Sequence, residues 1–241
     1  MYQTMRDTAR LSQNQRESIA TYGARTTWPA GFTVYERGSP ASGLFIVLKG
    51  QVVLRNSVGT GRSFVPWVAT PGETFGSEGL EPKGRYVTSA RAEEESETLH
   101  LSAPSFSALM REQPAHALDL VRQLTSERTA LLEKFCQHAT LTVEQRLIAS
   151  LIRMARSRVL DGEPATGTAV PRRLLGELVG ATRESISLVL GRLSSEGLVQ
   201  RTGNGLVITD LERLETKLSA PARSVGLDVF DERVATDQAL R

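Results

Sequence analysis

Between residues 31 and 101 the apolar positions come in short runs of β-branched and aromatic residues, broken at close intervals by glycine and proline. That pattern predicts strands over 33–35, 44–48, 51–54, 64–68, 86–88 and 98–101. Gly38, Gly50, Gly72, Gly76 and Gly79 fall between them or at their ends, where a turn often needs positive φ. An antiparallel barrel or roll is the natural outcome. After Pro104 the period changes: Leu118, Val121, Leu124, Leu131, Leu132 and Phe135 recur at helical spacing and keep one broad apolar face. One small roll leaves part of such a face uncovered. The surplus predicts a second copy of the chain, packed helix to helix across a two-fold axis, with an ordinary helix buried on its own domain as the alternative. Thr142 to Gln145 have the form of a capping box and open a further helix, whose stripe is Leu147, Ile148, Leu151, Ile152, Ala155 and Val159. Residues 161–168, rich in Gly, Pro and Thr, read as a loop.

Residues 174–193 read as a short helix, a tight turn at Gly180 and a second helix capped by Thr182. On that second helix Ile186, Val189, Leu190 and Leu193 follow i, i+3, i+4, i+7 spacing and face inward. Glu184, Ser187, Leu188 and Gly191 then face outward, with Arg183 on the exposed first turn. Arginine can donate two hydrogen bonds to guanine and glutamate can accept from cytosine N4, so this face suits the major groove; Leu188 offers only apolar contact, as to a thymine methyl. Residues 198–209 add two short strands around Gly203, Asn204 and Gly205, which form a wing. Arg172 and Arg173, before the first helix, and Arg192, late on the second, are placed to meet phosphates, which position a protein without specifying sequence. The competing reading is a winged domain that serves only protein contacts.

With 241 residues, 40% of them apolar, the chain can bury two moderate cores. Residues 1–16 are polar and the longest apolar run, 44–48, is too short for a bilayer, so a cytoplasmic protein without membrane contact is expected. Cys136 is the only cysteine, which removes intramolecular disulfides and multi-cysteine zinc or iron–sulfur sites. A net charge of +2 says little, but residues 141–209 hold nine arginines against six acids, so phosphate contacts are expected there. The four glutamates within 93–97 mark an exposed turn, either simply solvated or a patch for a partner such as RNA polymerase. No residue set supports an enzyme. Cys136 and His138 point to different sides of a helix, and His100, His116 and His138 lack the close spacing of a metal site.

Residues 31–38 (Gly-Phe-Thr-Val-Tyr-Glu-Arg-Gly), 44–52 and 71–76 (Pro-Gly-Glu-Thr-Phe-Gly) resemble the glycine-spaced β-roll of cyclic-nucleotide-binding domains, and residues 180–187 resemble the recognition helix of the CRP/FNR family. Several spaced motifs in one order, from about Gly31 to Thr209, carry the resemblance. It implies an α+β fold with an N-terminal antiparallel β-roll, a long dimerisation helix and a C-terminal winged helix-turn-helix. It also implies base contacts by Arg183, Glu184 and Ser187 on a near-palindromic operator, with altered reading at Leu188, where relatives often carry arginine. For the effector pocket the sequence departs from the family. The family's phosphate cassette has a glutamate after Phe-Gly and an arginine followed by a small residue. Here Ser77 stands first with Glu78 one place late, and Tyr86 and Val87 stand where the arginine and the small residue belong. Arg85 is adjacent, but one residue along a strand points to the opposite face. Thr125 and Ser126 resemble the segment that cyclic-AMP-responsive relatives use to touch adenine; a polar shoulder is the alternative. No cofactor is assigned with certainty: cyclic AMP, another small effector and no ligand at all are the alternatives for the roll.

The expected organisation is a β-roll sensor with an N-terminal helix over 1–112, a dimerisation helix over 113–140, a winged helix-turn-helix over 141–218 and an extension without assigned role over 219–241. The whole reads as a homodimeric, sequence-specific transcription regulator that binds double-stranded DNA and is modulated by an effector in the roll. The competing class is a cyclic-nucleotide receptor or protein-interaction module whose winged domain does not read DNA.

Overall fold

The computed structural model describes residues 10–58, 62–160, 167–168, 172–202 and 205–219. Helix α1 (Gln13–Ala20) starts behind a capping box, in which the Ser12 hydroxyl accepts from the Gln15 backbone N–H and the Gln15 side chain accepts from that of Ser12. Eight strands follow: β1 (Ala24–Trp28), β2 (Thr33–Tyr35), β3 (Leu44–Lys49), β4 (Val52–Val58), β5 (Arg62–Ala69), β6 (Thr74–Phe75), β7 (Ser89–Ala92) and β8 (Ser96–Leu101). They form two four-stranded antiparallel sheets, in the orders β1-β8-β3-β6 and β2-β7-β4-β5. Alternation along β4 shows which side is inside: Val52 and Leu54 join an interior cluster with Trp67 and Phe75, while Val53 belongs to a separate cluster on the outer face.

Besides the short β6, which the expected strands lacked, two features differ from them. Residues 86–88 form none, and β7 begins at Ser89, because Tyr86 is drawn into the interior against Tyr35 with ring centroids 3.6 Å apart. Strand β1 has a mostly polar sequence and is held by its pairing with β8, in register from Ala24↔His100 to Trp28↔Ser96.

Helix α2 (Ala103–Glu112) ends where Pro114, lacking an N–H, opens α3 (Pro114–Thr140). The apolar face of α3 is divided. Leu120 and Leu124 pack beside β3 and β8, and Leu131 packs on the aromatic interior, whereas Leu118, Val121, Leu132 and Phe135 are 49%, 45%, 55% and 73% exposed. With exposed Thr125 and Arg128 between them, these positions repeat at alternating spacings of three and four, the a/d seam of a coiled coil.

The remaining elements are α4 (Val143–Leu160), β9 (Gly167–Thr168), α5 (Arg172–Val179), α6 (Arg183–Ser195), β10 (Val199–Thr202), β11 (Gly205–Ile208) and α7 (Leu211–Ser219). The capping box of Thr142 and Gln145 is formed at the start of α4, and Asp210 accepts from the Arg213 N–H to cap α7. Part of the stretch expected as a loop is strand: β9 pairs with β11, giving the sheet order β10-β11-β9. Residues 161–166, Gly203, Asn204 and 220–241 lie outside the described residues. Leu147, Leu151, Leu190, Leu193, Ile208 and Leu214 centre this second core. No helix among the described residues is long and apolar enough to cross a membrane.

The two cores meet through α5. Its Leu174 and Leu178 pack on Val53 and Val65 of the outer roll face. Beside them Arg55 bridges Glu177 of α5 at 2.8 Å and Glu93 at 3.4 Å. The buried ammonium of Lys134 on α3 donates to the carbonyls of Val65 at 2.6 Å and Pro66 at 3.0 Å, on the sheet edge where a proline is tolerated. The Arg146 guanidinium donates to the carbonyls of Val179 at 3.0 Å and Leu141 at 2.8 Å.

Candidate nucleic-acid interface and effector pocket

Helix α6 is positioned from both ends of the turn that precedes it. Gly180 has φ +66°, and a Cβ there would lie 3.3 Å from Nε2 of His138, so the turn requires glycine for its conformation and for its close approach. Thr182 is extended and its hydroxyl accepts from the Ser185 N–H at 3.2 Å, which starts the helix. Thr182→Ala is expected to cost about 1 kcal/mol of stability in urea unfolding. Ile186, Val189, Leu190 and Leu193 are buried, so Glu184, Ser187, Leu188 and Gly191 are exposed together, with Leu188 at 72%, beside exposed Arg183. The first-turn backbone N–H, the Thr182 hydroxyl and neighbouring Arg183 hold the Glu184 carboxyl below the usual range, which keeps it an acceptor. Arg192 lies on the same helix, still largely exposed, with its guanidinium 3.0 Å from Glu144. The side chains of Arg172 and Arg173 lie outside the described residues.

Of the residues expected at the effector pocket, Ser77, Glu78, Arg85, Tyr86 and Val87 lie in one segment before β7, and Thr125 and Ser126 lie on α3. Ser77 and Glu78 begin a 3₁₀ turn, Ser77–Leu80, and Glu78 accepts from the Val87 N–H at 3.2 Å. Val87 and Arg85 are exposed, and Arg85 donates to the Gly38 carbonyl. The Tyr86 hydroxyl accepts from the Ser42 N–H at 3.0 Å. Thr125 sits on the exposed seam of α3 with its hydroxyl bonded to the Val121 carbonyl, while Ser126 is half-buried. Cys136 is exposed, and His138, half-buried, bonds the Lys134 carbonyl, so the two do not meet.

Residues 25–113 match the family model of the cyclic nucleotide-binding domain, and residues 145–217 match that of the Crp-like helix-turn-helix domain. The chain belongs to the CRP/FNR family. The CRP-like cAMP-activated global transcriptional regulator of Mycobacterium tuberculosis is 23% identical to it over 189 residues, 78% of this chain and 84% of the relative. The Cyclic AMP receptor protein of Thermus thermophilus is 28% identical over 200 residues, 82% and 88% of the two chains. Among solved structures, FixK2 from Bradyrhizobium japonicum superposes with a TM-score of 0.71 at 22% identity, covering 83% of this chain and 98% of that one. The c-di-GMP responsive regulator CLP of Xanthomonas campestris gives 0.69 at 23% identity, covering 83% and 100%. These likenesses show the CRP-like fold. A CRP/FNR protein carrying this helix-turn-helix is a DNA-binding transcription regulator, not an enzyme.

In this CRP/FNR chain the phosphate end of a cyclic-nucleotide pocket does not fit. A buried phosphate needs a cationic fork, and the position holds the stacked rings of Tyr86 and Tyr35, backed by Phe45 and Phe75 at 5.0 Å from each other. A group that the sequence reading passed over enters the roll instead. Glu127 of α3 accepts from the Thr74 hydroxyl at 3.2 Å. Burial, assisted by the charges of Glu73 and Glu78 and opposed by the Thr74 bond, pushes its carboxyl up to about 7. The signal was available in register: Glu127 follows Leu124 by three and precedes Leu131 by four, which puts an acid on the inward stripe.

Proposed function

We propose that the chain acts as a homodimer that reads a near-palindromic operator, with Arg183, Glu184 and Ser187 contacting base edges and Leu188 making an apolar contact. Thr182 sets the N-terminal turn of α6 against the backbone, and Arg172, Arg173 and Arg192 meet phosphates. The observation that carries this reading is the outward face of α6, where an arginine, an ionised glutamate and a serine stand exposed over four buried aliphatic residues. The exposed seam of α3 supports the two-fold pairing, which would set the two recognition helices on half-sites about one helical turn apart. The working division is a sensor over 1–112, a dimerisation helix over 113–140, a reader over 141–218 and an extension over 219–241. An effector on the sensor shifts how the reader is carried, and the protein works in the cytoplasm alongside RNA polymerase.

The test is an electrophoretic shift on promoter fragments with a salt titration. Wild type is expected to form a specific complex, and Arg183→Ala and Glu184→Ala are each expected to weaken it roughly 10- to 100-fold, about 1–3 kcal/mol. Leu188→Arg is expected to change which base is preferred at one position per half-site. No specific complex for wild type, or no loss in either alanine variant, overturns the reading.

A further inference from the structure

The outer face of the β2-β7-β4-β5 sheet holds a cavity of about 310 Å³ lined by Arg37, Arg55 and Arg91. Register explains the convergence. Arg91 on β7 pairs with Thr33 on one side and with Val53 on the other, and Arg55 stands two residues beyond Val53, so all four lie on one face. Thr33, Ser57 and Ser89 complete the lining, and Glu36 is its one carboxylate.

The three guanidinium groups are unequally engaged. Arg37 donates to the Ser57 carbonyl at 3.2 Å, while Glu36 accepts from Ser89 at 2.7 Å. Arg91 has a buried Nε with no hydrogen-bond partner, and its Nη2 lies where a Cβ on Gly31 would approach to 3.1 Å. Among the described residues neither Arg37 nor Arg91 is ion-paired with a carboxylate. Arg55 directs Nε, at 2.9 Å, and Nη2, at 2.8 Å, to a single oxygen of Glu177 on α5.

We propose that this cavity binds a dianionic phosphate monoester, and that the ligand competes with Glu177 for Arg55 and so loosens α5 from the roll. Planar guanidinium forks match the oxygens of a phosphate, and three cations favour a dianion over a monoanionic diester. The volume stands at the small end of ligand sites, enough for a compact metabolite. The Tyr35–Tyr86 stack belongs to the aromatic interior of the roll, whereas this cavity on the outer face abuts the contact that holds the reader. The binding half of the proposal stands alone; the loosening half rests on the reading of the chain as an effector-modulated DNA regulator.

Calorimetry on the full chain with AMP, 3′,5′-cyclic AMP and adenosine tests it, since the three share base and sugar and differ mainly in phosphate charge. AMP is expected to bind, more weakly as salt rises, with adenosine silent and cyclic AMP weaker than AMP. The Arg37→Gln/Arg91→Gln double variant is expected to lose about tenfold or more in AMP affinity while melting like wild type. Glu177→Gln, which removes the competitor, is expected to tighten AMP roughly fivefold, because coupling between two contacts is reciprocal. Cyclic AMP binding as tightly as AMP, indifference to the arginine variants, or an unchanged or weaker affinity in Glu177→Gln overturns the proposal. If Glu177→Gln melts early, the arginine variants and the AMP preference decide. AMP binding that obeys these rules in a protein forming no operator complex would leave the site standing and remove the DNA reading.

Discussion

Leu132→Asp combined with Phe135→Asp is expected to leave the chain monomeric and to abolish operator binding at concentrations where wild type binds. Both side chains are more than half exposed on a protomer, so removing them costs the protomer's own core little. In a two-fold pairing each is buried twice. At about 1.5–3 kcal/mol for each buried Leu or Phe side chain, four of them represent on the order of 6–12 kcal/mol of association, before the cost of forcing four carboxylates together. That is comparable to the roughly 8 kcal/mol that separates a micromolar dimer from monomers. A single reader then binds one half-site, and the cooperative gain from the second is lost. Sedimentation velocity across micromolar concentrations, with far-UV circular dichroism as the folding control, reads the outcome. A folded double variant that still sediments as a dimer would refute the seam. The middle of the seam, Thr125 and Arg128, is polar, so Arg128→Leu is expected to strengthen association while weakening the register that a polar seam residue imposes.

The second large effect belongs to Glu127. Its carboxyl titrates near 4.5 in the unfolded chain and is pushed up to about 7 in the fold, chiefly by burial. Between those values the folded protein holds a proton that the unfolded chain has released. Stability is therefore expected to fall as pH rises from about 4.5 to about 7 and to level off above it, by up to about 3 kcal/mol from this group. Glu127→Gln keeps the shape and the contact with Thr74 but cannot ionise, so its melting temperature should lose that slope and exceed wild type most clearly at pH 8. Parallel pH profiles for the two proteins would show that Glu127 is not the group responsible.

The reader was legible because each of its signals is local. The inward positions of α6 recur at helical spacing within eight residues, its cap lies three residues before the N–H it receives, and Gly180 marks the turn by itself. Five of the expected strands of the roll carried over for the same reason, since alternation is a property of consecutive residues. The motif resemblance then ordered these pieces, and the Tyr86 and Val87 departures were visible as residue identities.

What the string of residues could not express is which distant positions share a space. Helical spacing put Leu118 and Leu124 on one apolar face; only the seat of α3 on the roll separates a core residue from a seam residue. Tyr86 stands at the family's phosphate position by alignment, but its ring is an interior plug because Tyr35, fifty-one residues earlier, stacks on it. Arg37, Arg55 and Arg91 are unremarkable charges in sequence and become one cavity through the pairing of β7 with β2 and β4. Local periodicity and caps made the DNA-reading helix readable from the chain, because backbone hydrogen bonding repeats over a few residues. The state of the sensor was decided by packing across strands and between α5 and the roll, because burial and charge proximity depend on residues that meet only after the chain has folded.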